Sequence, residues 1–339
     1  MMDATVAAGV ARALLDLAVT KGARAGVLTR IAGIDRGTLD DPDARIPMAS
    51  YVRLMRAAKE IAQDPALGLH FGEAYELRDF SVVGVAAAPT GSIAEGLGPL
   101  NKFARLAVEA SPPGEERFRL VARGGELWLE DRRSDPNDFH ELTESTFARI
   151  ATSMRRAGAA SLIRRVHFTH ASPAYLDEYQ RIFDVPLLFD SPWNALSLDQ
   201  QMLSRKMAAP PGYMHAAMTE RAEGLLGKLD RGKSFTSRVV QELALLLPAG
   251  RGGADSVAAK LGMSRQTLYR KLKAEDASFD RLVRELRTRL AIEYVHQRRM
   301  PIAKAAHLLG FADRASFSKA FKRWTGQSPG EARRGEDGG

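Results

Sequence analysis

The stretch Asp255-Ser-Val-Ala-Ala-Lys-Leu-Gly-Met-Ser-Arg-Gln-Thr-Leu-Tyr-Arg-Lys-Leu272 decides the fold of the C-terminal part of this chain. Val257, Ala258 and Leu261 give one helix an apolar face, and Gly262-Met263 supplies a turn. Ser264 stands at the N-cap of the next helix, where its hydroxyl can accept a free backbone N–H. Leu268 and Leu272 bury that second helix at i, i+4 spacing. Arg265, Gln266, Tyr269, Arg270 and Lys273 are left outside. Cationic, amide and phenolic side chains on one face are what phosphates and base edges call for.

The same grammar returns about 50 residues on. Pro301 can open a helix, and Ile302, Ala305, Ala306 and Leu309 follow at helical spacing. Gly310-Phe311 turns the chain, and Asp313 can cap the next helix. Phe317, Phe321 and Trp324 are expected to face inward, with Arg314, Ser318, Lys319, Lys322 and Arg323 outward. Gly326 ends that helix and Pro329 blocks its continuation. Between the two patterns, one amphipathic helix is expected over Phe279 to Arg298, a spacer holding both reading helices on one side. One helix with an outward Arg/Lys face is usually only solvated. Two capped units in tandem around a spacer make that bland account a poor one.

The pattern Ile302-Ala303 … Leu308-Leu309-Gly310-Phe311 … Phe317-Ser-Lys-Ala-Phe321-Lys-Arg-Trp324-Thr-Gly326-Gln-Ser328-Pro329 resembles the AraC-type (arabinose-operon regulator) family of bacterial transcription factors. The resemblance spans Ser234 to Arg334. It implies that a helix from each unit enters the major groove, with Gln266, Tyr269 and Arg270, then Arg314, Ala315 and Lys319, facing the bases. Arg265, Ser318, Lys322 and Arg323 complete the expected DNA-binding set. Asp276 stands where the family usually has a turn glycine, and Asp tolerates a left-handed backbone. Ala332 stands where an aromatic often precedes Arg333, which bears on the final helix alone.

Charge is divided unevenly along the 339 residues. Arg251 to Gly339 holds 19 Lys+Arg against 10 Asp+Glu, and the 250 residues before it hold 30 against 31. The whole basic excess therefore lies on the tandem module, the footprint of a phosphate-binding domain joined to a neutral partner. Absence of cysteine excludes disulfides, thiolate metal sites, thiol redox sensing and cysteine-based alkyl transfer. No run approaches 18 apolar residues, and Met1-Met-Asp-Ala-Thr-Val does not begin a signal peptide. The expected place is the cytoplasm, on the nucleoid when DNA is bound.

The N-terminal region reads as α+β. Helices are expected over Thr5 to Lys21, Arg24 to Ala32, Met48 to Gln63, Pro65 to Glu76, from Ser92 onward, Phe139 to Ala157 and Ala174 to Phe183. Asp35 to Pro47 is turn-rich, and Phe80 to Ala88 is expected as a strand or buried loop. Phe118 to Ala122 and Leu127 to Asp131 alternate around Arg123-Gly124-Gly125, a hairpin signal. Short strands are expected at Arg164 to Phe168, Leu187 to Asp190 and Ala195 to Leu198. The segment Val166-His-Phe-Thr-His170-Ala-Ser-Pro173 … Tyr179 … Phe183 … Pro186-Leu-Leu-Phe189 … Leu196 resembles the arabinose-binding-type domain of one AraC subgroup, which includes regulators of ornithine use and of virulence. That resemblance implies a small-molecule sensor that can dimerise, and it assigns no ligand contact.

One motif points elsewhere. Gly227-Lys-Leu-Asp-Arg-Gly232-Lys233-Ser234 fits the phosphate-cradling loop of nucleotide hydrolases, which needs a strand before it and a helix after it. Here Ala216 to Leu226 reads as an amphipathic helix, and Asp230 would point a negative charge at phosphate. The histidines, His70, His140, His167, His170, His215, His296 and His307, show no metal spacing and read as structural. His140-Glu141 lacks the second histidine of a zinc-protease helix.

The resulting expectation has three parts. Residues 1–210 form an α+β effector-sensing and dimerisation domain, 211–233 a linker region, and 234–334 an all-α domain with two helix-turn-helix units joined by a long helix. The function expected is a sequence-specific DNA-binding transcription regulator controlled by a small-molecule effector, not an enzyme. It has no cofactor or metal, and its catalytic set is empty. Its partners are double-stranded operator DNA, an unidentified effector, RNA polymerase and a second copy of the chain, with no membrane. The alternative is a nucleotide-hydrolysing enzyme with a DNA-binding tail. An architectural DNA protein would not need the neutral N-terminal domain.

Overall fold

The structure, a computed structural model, describes residues 4–79, 81–86, 93–111, 115–133, 135–200, 212–231, 234–292, 294–295 and 300–334. The chain folds as two compact units, the second of which takes up the chain beyond Arg231.

The first unit opens with β1 (Thr5–Ala7), α1 (Ala8–Thr20), α2 (Ala25–Ala32), β2 (Arg45–Pro47) and α3 (Met48–Ile61). Thr5 to Ala7 is therefore not the first turn of the expected helix. It pairs antiparallel with β2, and the Arg45 guanidinium clamps it through Thr5 Oγ1 and the Thr5 carbonyl, both at 2.9 Å. A partner forty residues away is invisible to local periodicity. The chain continues through α4 (Leu67–Ala74), α5 (Val83–Ala86) and α6 (Ile93–Ala107). The strand or loop expected over Phe80 to Ala88 is, where described, the single helical turn α5. A Cβ on Gly84 would lie 2.0 Å from the Arg78 backbone, so the turn folds back onto the chain before it. Ser92, the expected start of α6, lies outside the described residues.

A five-stranded sheet follows, in the order β3-β4-β7-β5-β6, from β3 (Phe118–Arg123), β4 (Glu126–Asp131), β5 (Ile163–His167), β6 (Leu187–Leu188) and β7 (Asn194–Leu198). The hairpin turns at Gly124-Gly125, where φ is +57° and +79°, values that glycine adopts without strain. Helices α7 (Glu141–Arg156) and α8 (Leu176–Phe183) cover one face, and Phe147, Phe168, Val166, Tyr179 and Leu196 are sealed between. Helix α4 crosses α7 so closely that a Cβ on Gly72 would lie 2.3 Å from the Ser145 carbonyl.

Residues expected as a linker, 211–233, hold α9 (Gly212–Arg231). Its Ala222 and Leu226 are buried in the core formed by α1, α3, α5 and α6. The helix belongs to the first unit, and ion pairs fix its flanks, Arg105 to Asp230 at 2.7 Å among them. The phosphate-loop motif finds no strand before it, since Gly227 to Arg231 complete α9; Gly232 and Lys233 lie outside the described residues.

The second unit is helical: α10 (Phe235–Leu246), α11 (Ala254–Lys260), α12 (Arg265–Ala274), α13 (Phe279–Ile292), α14 (Ile302–Leu308), α15 (Arg314–Thr325) and α16 (Pro329–Arg334). Val239, Leu243, Val257, Leu268, Leu272, Val295, Ala305, Leu309, Phe317 and Phe321 share one core. The expected helix to Arg298 is regular only to Ile292; Tyr294 and Val295 lie in a wider turn and stay buried, and residues 293 and 296–299 lie outside the described set. Trp324, expected inside, is only partly buried and packs on Phe311 at 5.9 Å between rings. Among the described residues no helix is long and apolar enough to cross a membrane.

Candidate nucleic-acid interface

The first unit of the tandem is set by its caps. Gly262, at φ +68°, turns the chain after α11, and Met263 N–H donates to the Ala258 carbonyl at 3.0 Å. Ser264 Oγ then accepts the Thr267 N–H at 3.2 Å, which starts α12. With Leu268 and Leu272 fully buried, rotation of α12 is fixed. Arg265, Gln266, Tyr269, Arg270 and Lys273 are all exposed. The Tyr269 ring is braced: it meets Phe279 edge-on at 6.2 Å, and the Arg265 guanidinium lies 5.5 Å from its centre. Arg265 also reaches Asp255 at 3.4 Å, an exposed pair of little energetic weight. Asp276, at φ +52°, takes the left-handed turn expected of it.

Sequence alone did not reveal what holds α12 to α10. The Glu275 carboxylate accepts the Phe235 and Thr236 N–H groups at 2.7 and 2.8 Å, capping α10 from the far end of α12. An acid at a helix N-terminus satisfies orphan donors and complements the helix dipole. The spacing of forty residues gives no local signal for it.

The second unit repeats the construction. Gly310, at φ +71°, turns the chain, and Asp313 accepts the Ser316 N–H at 2.7 Å and its hydroxyl at 3.0 Å. Those bonds, the backbone one first, hold the Asp313 carboxyl below its usual range. Phe317 and Phe321 are fully buried, so Arg314, Ala315, Lys319, Lys322 and Arg323 face solvent and Ser318 is half-buried. From α13, Arg287 lies over the Phe311 ring at 5.3 Å, and burial lowers its pKa. Gly326, at φ +83°, ends α15. The helix in doubt for want of an aromatic does form: Ser328 and Glu331 exchange backbone bonds at 2.7 and 3.3 Å, and Ala332 is buried.

Among the described residues, no acid lies within ion-pair distance of Arg270, Lys273, Arg314, Lys319, Lys322 or Arg323. Cations held on rigid helices with no internal partner are available to phosphate.

The N-terminal compact unit holds a different polar cluster. Glu144, at 0 % exposure, accepts the Tyr175 and Tyr179 hydroxyls at 2.8 and 2.5 Å, and Tyr179 lies 3.1 Å from His170 Nε2. Burial raises the Glu144 pKa despite those bonds. Burial likewise lowers the pKa of His140 and His170, whose rings lie 5.0 Å apart. Nearby, Arg56, Lys59, Glu60, Gln63, Pro65 and Glu141 line an open depression of about 440 Å³. Its charged lining differs from the mostly apolar lining usual for small-molecule sites. No group of three or more potential metal ligands occurs among the described residues.

Comparison with known proteins agrees with this division. Residues 22–207 match the model of the arabinose-binding domain of AraC transcription regulator, N-terminal, and residues 257–335 match a helix-turn-helix domain. The ornithine utilization regulator of Pseudomonas aeruginosa is 27 % identical over 333 residues, 95 % of this chain and 94 % of that protein. The transcriptional regulator VirS of Mycobacterium tuberculosis is 24 % identical, covering 88 % of each. The crystal structure of the transcriptional regulator CdpR from Pseudomonas aeruginosa aligns with 91 % of this chain and 96 % of its own at 19 % identity, with a TM-score of 0.40, too low to carry an argument. These relatives are named as regulators, and none supports the nucleotide-hydrolysing alternative. With a family model spanning more than half of its length, the chain belongs to the AraC-type transcription regulators, DNA-binding proteins with an N-terminal effector-binding domain.

Proposed function

We propose that α12 and α15 are the two helices that enter the DNA major groove, with Gln266, Tyr269, Arg270, Arg314, Ala315 and Lys319 toward the bases. Arg265, Ser318, Lys322 and Arg323 hold the flanking phosphates. The observation that carries this is the row of exposed cations on the second helix of each capped unit, of which, among the described residues, only Arg265 has an acid within 4 Å. Helix α13 acts as the spacer between the units, and residues 234–334 serve as the DNA-binding domain.

The α+β unit senses a small molecule and joins two copies of the chain, and the regulator works through RNA polymerase. An effector alters DNA binding only by differing in affinity for two states of the protein. The relative named for ornithine utilization makes basic amino acids the first metabolites to try. The test is fluorescence anisotropy of the full chain on duplexes selected from a random library, with and without each metabolite. Tight binding to a selected sequence, shifted by one metabolite, is the expected result. Equal affinity for selected and random DNA would contradict it.

A further inference from the structure

We infer that the two reading helices ask for different bases, α12 for an adenine and a thymine methyl beside the guanine that suits Arg270, α15 for guanines alone. This deepens the assignment of α12 and α15 as groove-facing helices and rests on it.

The chemistry differs between the two outer faces. Gln266 on α12 is exposed, and its amide carries the donor and acceptor that adenine N6 and N7 match. Tyr269 is 36 % exposed, with Phe279 meeting its ring edge-on at 6.2 Å and the Arg265 guanidinium over it at 5.5 Å from its centre. A ring already held loses little freedom on binding, and its apolar surface suits the 5-methyl of thymine. The outer face of α15 presents neither amide nor aromatic. It presents Arg314 in the first turn, capped by Asp313, and Lys319 farther along, with Ala315 and Ser318 between. Arg and Lys pair with guanine O6 and N7. A site with one segment that specifies adenine and a thymine methyl besides guanine, and a second that specifies guanine alone, is not a repeat. It fixes the direction in which one chain lies on the duplex.

The experiment uses the full chain and a site selected from random duplex DNA. Each thymine is replaced in turn by deoxyuridine, which removes the methyl. Each guanine is replaced by 7-deazaguanine, which removes N7. One uracil position is expected to weaken binding about fourfold, the worth of one buried methyl. Tyr269→Ala is expected to erase that sensitivity, and Gln266→Ala to relax the neighbouring adenine. In the other segment 7-deazaguanine is expected to cost roughly tenfold, and Arg314→Ala to erase it. Two identical segments, or uracil sensitivity that survives Tyr269→Ala, would overturn the inference. In that case losses from Arg270→Ala and Arg314→Ala would leave the groove-facing assignment standing. If neither arginine variant changed affinity or selected sequence, that assignment would fall and the inference with it.

Discussion

In the N-terminal unit Arg181 grips Glu73 with two Nη groups at 2.8 and 2.6 Å, and Arg117 and Arg133 close on the buried carboxylate of Asp131. On α12 and α15 only Arg265 has an acid within 4 Å among the described residues, and that pair is exposed. The same residue type does opposite work. A guanidinium with an internal partner specifies packing, whereas one left without a partner on a rigid helix waits for an anion from outside. Net charge is divided just as unevenly, −1 over the first 250 residues against +9 over the rest.

Removing Asp131 tests the first half of this contrast and has the largest expected effect. Burial alone would raise its pKa, but Arg117 and Arg133 outweigh that and hold the carboxyl low. Asp131→Ala would leave both guanidiniums buried without their acid, at a cost of about 3–5 kcal/mol. Thermal melts should show the loss, while DNA affinity of the folded protein stays unchanged. An unchanged melt would mean the network is ornamental.

Arg270 and Lys322 sharpen the other half. Arg270→Ala should leave the melt unchanged, relax base preference and cost about 1–3 kcal/mol on the selected site. Lys322→Ala should weaken selected and random DNA alike. Identical behaviour of the two variants on both DNAs would reject the assignment of faces.

The smallest expected effect is a change in slope. The folded-state pKa of Glu144 is raised by burial, with His140 at 3.9 Å and Glu141 on the same turn. The sign follows: its contribution is full below the unfolded value of about 4.3 and is lost as pH rises through the folded value. As pH rises above about 4.3 the wild type should therefore lose stability relative to Glu144→Gln. Parallel stability curves would show that the carboxyl does not titrate in the folded chain.

Legibility followed the range of the interactions. Ser264, Asp313, Gly262, Gly326 and Gly124-Gly125 act within a few residues, so caps and turns could be read from the chain. The strand at Thr5 needed Arg45, and the tie between α10 and α12 needed Glu275. Neither partner is local. Ala216 to Leu226 was legible as a helix, but its burial against α5 and α6 was not, so it passed for linker. The outward residues of α12 and α15 could be named because Leu268, Leu272, Phe317 and Phe321 fix the inward face. The buried cluster of Glu144, His170 and Tyr179 could not, because these side chains meet only through the fold.

The central claim is that unpaired cations of the second unit bind phosphate, and salt tests it most directly. With roughly 6–10 phosphate contacts, affinity of the full chain for duplex DNA should fall on the order of 10³-fold or more between 50 and 200 mM salt. A plot of log affinity against log salt that stayed flat would contradict the account.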